Sequence, residues 1–207
     1  MARFPLRVVV LGDSVAFGTG ALRAQDALGP RLVAALTDDD FDVELHVLAV
    51  PGAASAQLAA QVRRAEQLSA DLAVVVIGAN DLARFVPAEQ AAAHLGAAVT
   101  ALRAADTDVV VVPAPDMSLV PFVPPAFRPA VRAACALLQQ HQAAVAESAG
   151  ASVALIADEV GRAFGGDPAL FSADRFHPSS AGYAQIAAAL TPYVAAAART
   201  RRDAAAA

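Results

Sequence analysis

Residues 6–20 read LRVVVLGDSVAFGTG, and the way the chain leaves this valine run decides the fold. Val8, Val9, Val10 and Leu11 are apolar in succession, as a strand covered on both faces must be. The exit through Gly12, Asp13 and Ser14, with Gly18 and Gly20 close behind, ends that strand in a glycine-rich loop. Such a loop offers backbone N–H groups either to a bound phosphate or to an oxyanion that develops during a reaction.

Two further runs have the same character, AVVVI at 73–77 and VVVV at 109–112. Residues 41–47 alternate instead, with Phe41, Val43, Leu45 and Val47 set against Asp42, Glu44 and His46, which reads as an edge strand with one wetter face. Strands are therefore expected at 6–11, 41–50, 72–77, 109–112 and 152–156. Helical periodicity places helices at 30–37, 54–68, 88–104, 129–148 and 180–197. Alternation of strand and helix predicts an α/β fold, a doubly wound parallel sheet in order 2-1-3-4-5 with any site at the carboxyl ends of its strands. The 207 residues suit one domain over 1–198, followed by a polar, alanine-rich tail at 199–207.

Composition excludes several chemistries. The chain has no lysine, so its 15 basic side chains are all arginine; a lysine Schiff base and a phosphate-binding loop lysine are ruled out. One cysteine, Cys135, allows no intramolecular disulfide and no thiolate metal cluster; in its Ala/Leu setting it reads as a small core residue. A net charge of −5 with no clustered basic face argues against nucleic acid as a partner. The opening MARFPLRVVVLGDS has no small-residue cleavage site, and IAAALTPYVAAAA is broken by Thr191 and Pro192, so neither a signal peptide nor a membrane span is expected. A cytoplasmic location is the resulting expectation.

The strand ends carry a particular set of side chains. The first gives Gly12-Asp13-Ser14, the second Pro51-Gly52-Ala53, the third Gly78-Ala79-Asn80-Asp81, and the loop before the last helix gives DRFHPSSAGY with Asp174 and His177. A nucleophile, a base with an orienting acid, and oxyanion donors are the parts needed for acyl transfer. A hydroxyl attacks only when a base takes its proton, and of the four histidines His177 alone sits in a strand-end loop. His46 falls on the edge strand, and His94 and His141 fall within helices. Asp174, three residues before His177, can fold back on the imidazole and set its tautomer. Gly52 admits a substrate oxygen close to a backbone N–H, and Asn80 supplies a neutral amide donor. Taken singly, each of these residues also reads as an ordinary turn or cap. Asp81 reads as a turn or cap acceptor.

Together the four blocks resemble the SGNH, or GDSL, hydrolase family. GDSVAFG resembles its first block, with Ser14 as nucleophile; GAND, with Asn80, resembles its third; DRFHPSSAGY resembles its last. Gly52 stands where the second block's glycine belongs, although Pro51 replaces the usual asparagine. The resemblance implies a flavodoxin-like three-layer fold and a serine esterase or acylhydrolase that needs no metal or other cofactor. It also implies an oxyanion hole built from the Ser14 N–H, the Gly52 N–H and the Asn80 side chain. A small-molecule ester is then the partner, with a thioesterase, lysophospholipase or sugar deacetylase as alternatives. The absence of tryptophan argues against stacking on a carbohydrate.

The proline-rich stretch PAPDMSLVPFVPPAFRPA, 113–130, has two readings. Its apolar side chains either cap the core or, through Leu119, Phe122 and Phe127, wall a site for an acyl chain. A rival from another class is a flavodoxin-like module that cradles a phosphate on GDSVAFGTG without catalysis.

Overall fold

Successive side chains of a strand point to opposite faces, so each valine run feeds two layers at once. In β1 (Phe4–Gly12), Leu6, Val8 and Val10 pack with Leu28, Leu32 and Leu36 of α2 (Leu28–Asp38) and with Tyr183, Leu190 and Val194 of α8 (Ser180–Ala205). Val9 and Leu11 point the other way, onto Leu58 and Val62 of α3 (Leu58–Gln67) and Leu95, Val99 and Leu102 of α5 (Ala88–Ala104). The same division runs through β3 (Leu72–Val76) and β4 (Asp108–Val112). Each fully buried Val or Leu contributes about 1.5–3 kcal/mol, which makes these three strands the anchor of both cores.

The computed structural model describes residues 3–206. Its five strands, with β2 (Phe41–Val47) and β5 (Ser152–Val153) at the edges, form one parallel sheet in the expected order β2-β1-β3-β4-β5, with helices on both faces. Every strand therefore delivers its carboxyl end, and the loop that follows, to one edge of the sheet. Short helices α1 (Ser14–Phe17) and α4 (Ala79–Ala83) begin directly in two of those loops.

Four elements differ from expectation. β2, expected to run to residue 50, ends at Val47. β5 stops at Val153: Ala154 adds one more bond, its N–H donating to Val111 O at 2.8 Å, and the chain then turns into α7 (Ala157–Gly166). That helix has no counterpart in the predicted set, because Gly161, Gly165 and Gly166 mask its period. The last helix, α8, runs on to Ala205, where a tail was expected from 199. Arg199 pairs with Asp39 at 2.6 Å, Arg201 with Asp106 at 2.9 Å, and the Arg202 guanidinium lies 5.4 Å from the centre of the Phe41 ring. The 113–130 stretch forms a 3-10 turn at Met117–Leu119 and then enters α6 (Arg128–Ser148). Among the described residues, no helix is long and apolar enough to cross a membrane.

Candidate active site

At the end of β1 the backbone of Gly12 takes φ +134°, and a Cβ there would lie 1.8 Å from the carbonyl oxygen of Val76. Only glycine lets β1 come this close to β3 while turning out of the sheet. The buried Gln61 side chain holds the turn, accepting from the Gly12 N–H at 2.7 Å and donating to the Gly12 carbonyl at 2.9 Å. Asp13 caps α1 by accepting from the Val15 N–H at 2.9 Å, which brings its own carboxylate to the spot where a phosphate would sit. Burial pushes the Asp13 carboxyl up to about 6, against the Val15 N–H, His177 and Asn80, which favour its charge.

Ser14 opens α1, and its hydroxyl meets a residue 163 positions away: His177 Nε2 lies 3.0 Å from Ser14 Oγ. The other ring nitrogen, Nδ1, lies 2.6 Å from Asp174 Oδ2. Since an Asp carboxylate only accepts, Nδ1 carries the proton and Nε2 is the acceptor for the serine hydroxyl. Asp174 Oδ1 accepts from the Ser172 hydroxyl at 2.7 Å and from the N–H groups of Phe176 and His177 at 2.9 Å each. Burial raises the Asp174 carboxyl, but these bonds, led by that of the His177 ring, more than offset it and hold the carboxyl well below its ordinary range. The Phe176 ring stands edge-on to the imidazole, with centres 4.9 Å apart, and limits its rotation. Ser14, His177 and Asp174 thus form one hydrogen-bonded chain.

The second and third loops are tied to each other. Gly52 takes φ +80°, and a Cβ there would meet nothing within 4 Å, so its backbone faces open space. The Asn80 Nδ2 donates to the Ala53 carbonyl at 3.0 Å, which engages one of its two N–H bonds. No hydrogen bond from the N–H of Ser14 or of Gly52 is found among the described residues. Arg84 Nη2 donates to the Gly52 carbonyl at 2.7 Å. Sequence reading thus named a Ser/His/Asp set that the fold brings into contact, and it placed Gly52 and Asn80 on adjacent loops.

A cavity of about 120 Å³ opens beside Ser14 and His177, lined largely by apolar side chains such as Val112, Leu119, Val160, Phe164 and Ile186. Of the three side chains expected to wall an acyl site, Leu119 lines this cavity. Phe122 does not; it is 60% exposed and stacks on Phe176, with ring centres 5.7 Å apart. Phe127 stands 63% exposed just before α6 and also lies outside the lining. The 113–130 stretch also gives Met117 and Val120 to the wall, and a further part comes from α7 and the residues around His177, which sequence reading missed; Ile156, Val160 and Phe164, four residues apart, were the available signal. Also missed was Gln142 on α6, which accepts from the Ala114 N–H at 2.8 Å and donates to the Ile77 carbonyl at 3.0 Å, fixing the ends of β3 and β4. In sequence nothing marks Gln142, which follows Gln139, Gln140 and His141; its burial, like that of Gln61, is decided by the fold.

Residues 10–185 match the GDSL-like lipase/acylhydrolase family. A GDSL-like esterase of Mycobacterium tuberculosis is 30% identical over 188 residues, which cover 89% of this chain and 60% of that relative's length. The fold is similar to that of TesA, with a TM-score of 0.72 at 21% identity, covering 90% of this chain and 97% of that one. It is equally similar to Axe2, an acetylxylan esterase from Geobacillus stearothermophilus, with a TM-score of 0.72 at 18% identity, covering 94% and 96% of the two chains. With the matched region running from inside β1 into α8, the chain belongs to the GDSL-like lipase/acylhydrolase family.

Proposed function

We propose that this protein is a serine hydrolase that cleaves carboxylic esters through an acyl-enzyme. The observation that carries the reading is the unbroken chain from Asp174 through His177 to Ser14, at 2.6 and 3.0 Å. His177 Nε2 takes the hydroxyl proton as Ser14 Oγ attacks the acyl carbon. The negative charge that gathers on the carbonyl oxygen is stabilised by the N–H groups of Ser14 and Gly52 and the second N–H of Asn80. His177 then gives its proton to the leaving alcohol as the C–O bond breaks, and the acyl group stays on Ser14. Water, deprotonated by the same imidazole, attacks the acyl-enzyme; the acid leaves and Ser14 regains its proton. Asp174 stays ionised throughout and holds Nδ1–H, so whenever the ring is neutral its free lone pair is the one that faces Ser14.

The apolar cavity beside Ser14 supports an acyl chain, rather than a sugar, as the group bound on the acid side. That favours acylhydrolases of the esterase or thioesterase type over a deacetylase of carbohydrates.

The test is a chain-length series of activated esters, from acetyl to palmitoyl, with the wild type and Ser14→Ala. Turnover should fall by roughly 10⁶ on loss of the hydroxyl. Asn80→Ala should cost on the order of 10²–10³ in kcat. Near-normal turnover by folded Ser14→Ala would overturn the mechanism.

A further inference from the structure

A second depression, of about 530 Å³, lies between α6 and α7, bordered by Arg132, Cys135, Gln139 and Arg162. It shares four residues with the cavity beside Ser14: Asp116, Leu119, Ala157 and Gly161. Two of these are small, and Asp116 is fixed by its own bonds, so Leu119 is the one bulky apolar side chain in the partition. We propose that Leu119 is the length gauge for the acyl group: it ends the inner cavity, and its removal would join that cavity to the groove between α6 and α7. The proposal rests on ester hydrolysis at Ser14 as set out above.

The side chain is held in place from two sides. It lies on a face of α7 that glycine keeps flat: a Cβ on Gly161 would stand 3.4 Å from one Leu119 methyl, and a Cβ on Gly165 would stand 3.6 Å from the other. The turn that carries it is also anchored. Asp116 accepts from the Ser118 N–H at 2.9 Å and pairs with Arg132 at 3.4 Å, and the Met117 N–H donates to Cys135 Sγ at 3.3 Å. A side chain packed against a helix and carried on a pinned turn is a wall. A chain that outgrows the inner cavity meets two methyl groups; beyond them lies the groove between α6 and α7.

The experiment compares kcat/KM for butyryl and palmitoyl esters in the wild type, Leu119→Ala, and Leu119→Ala combined with Gly165→Leu. Gly165 borders the outer groove and not the inner cavity, so the added leucine refills only the space opened to a long chain. One methylene in an apolar site discriminates by about 10–200-fold, so the palmitoyl-to-butyryl ratio should rise at least about tenfold in Leu119→Ala and fall back in the double variant. Acetyl-ester turnover in each protein keeps failure of the gauge distinct from failure of the hydrolytic reading. An unchanged ratio in Leu119→Ala, with acetyl turnover intact, overturns the proposal. So does a raised ratio that Gly165→Leu leaves in place, because the chain would then run elsewhere. Should Leu119→Ala fail to fold, Leu119→Val keeps an apolar side chain on α7 and shortens it; its ratio must rise by a smaller factor, and an unchanged ratio there counts equally against the gauge.

Discussion

Asp81 and Ser55 are joined across the loops that follow β3 and β2: the Ser55 N–H is shared between the two Asp81 carboxylate oxygens at 3.1 and 3.0 Å, and the Ser55 hydroxyl donates to one of them at 2.9 Å. Both residues are buried. Asp81 follows Asn80 directly, so this bond sets the distance between the loop of Gly52 and the amide of Asn80. Asp81→Ala leaves a buried N–H and hydroxyl without partners and should cost about 3 kcal/mol in urea unfolding, whereas Ser55→Ala removes one bond and should cost about 1 kcal/mol. Equal costs for the two variants would show that the backbone bond carries nothing.

Gly12 tolerates no side chain. At φ +134°, with a Cβ position 1.8 Å from Val76 O, alanine must both adopt a disfavoured backbone and push β1 away from β3. Gly12→Ala should destabilise by at least about 3 kcal/mol. Gly166→Ala, whose Cβ would meet nothing within 4 Å, is the control and should change stability by less than about 1 kcal/mol. Thermal unfolding of the two variants decides it.

Asp13 makes stability depend on pH with a definite sign. Its carboxyl is raised from 3.8 to about 6 in the fold, chiefly by burial, so the folded protein favours the protonated form. The resulting stability is present in full below pH 4 and is lost as pH rises through 6. In Asp13→Asn that loss is absent. The variant should gain on the wild type by about 1.4 kcal/mol per pH unit between pH 4 and 6, and the difference should be level above 6. Urea unfolding of both proteins from pH 4 to 8 reads this directly, and a difference that stays constant with pH would refute it.

In the proposed mechanism Asp174 acts on the chemistry through His177. Asp174→Asn keeps the shape of the loop but can donate to Nδ1, which moves the ring proton to Nε2 and removes the acceptor facing Ser14. On the proposed mechanism kcat should fall by about 10³–10⁴ with KM little changed. The carboxyl is held well below its ordinary range, so Asp174 itself should stay ionised as pH falls through 4. A kcat within tenfold of wild type in Asp174→Asn would show that the ring is oriented by Phe176 and packing alone.

The sequence by itself determined the layers and the chemistry-bearing loops. Strands buried on both faces must be apolar throughout, so VVVL, AVVVI and VVVV announced the central sheet, and the alternation at 41–47 marked its edge. That Ser14, Gly52, Asn80 and the Asp174/His177 pair lie on loops at one edge of the sheet could be read because local backbone demands and polar side chains coincide there. Tertiary structure alone decided what surrounds them. Phe122 and Phe127 are as apolar as Leu119, yet only Leu119 reaches the cavity, because the Met117–Leu119 turn points it at α7. That helix was hidden by its own glycines, which matter for what lies against them and not for their propensity. Gln61, Gln142 and the Asp81–Ser55 bond were likewise illegible, since a glutamine or serine in sequence does not say which peptide it will clamp. Period and composition report how a residue relates to its near neighbours along the chain; a cavity is made by residues over a hundred positions apart, and its shape is set by packing.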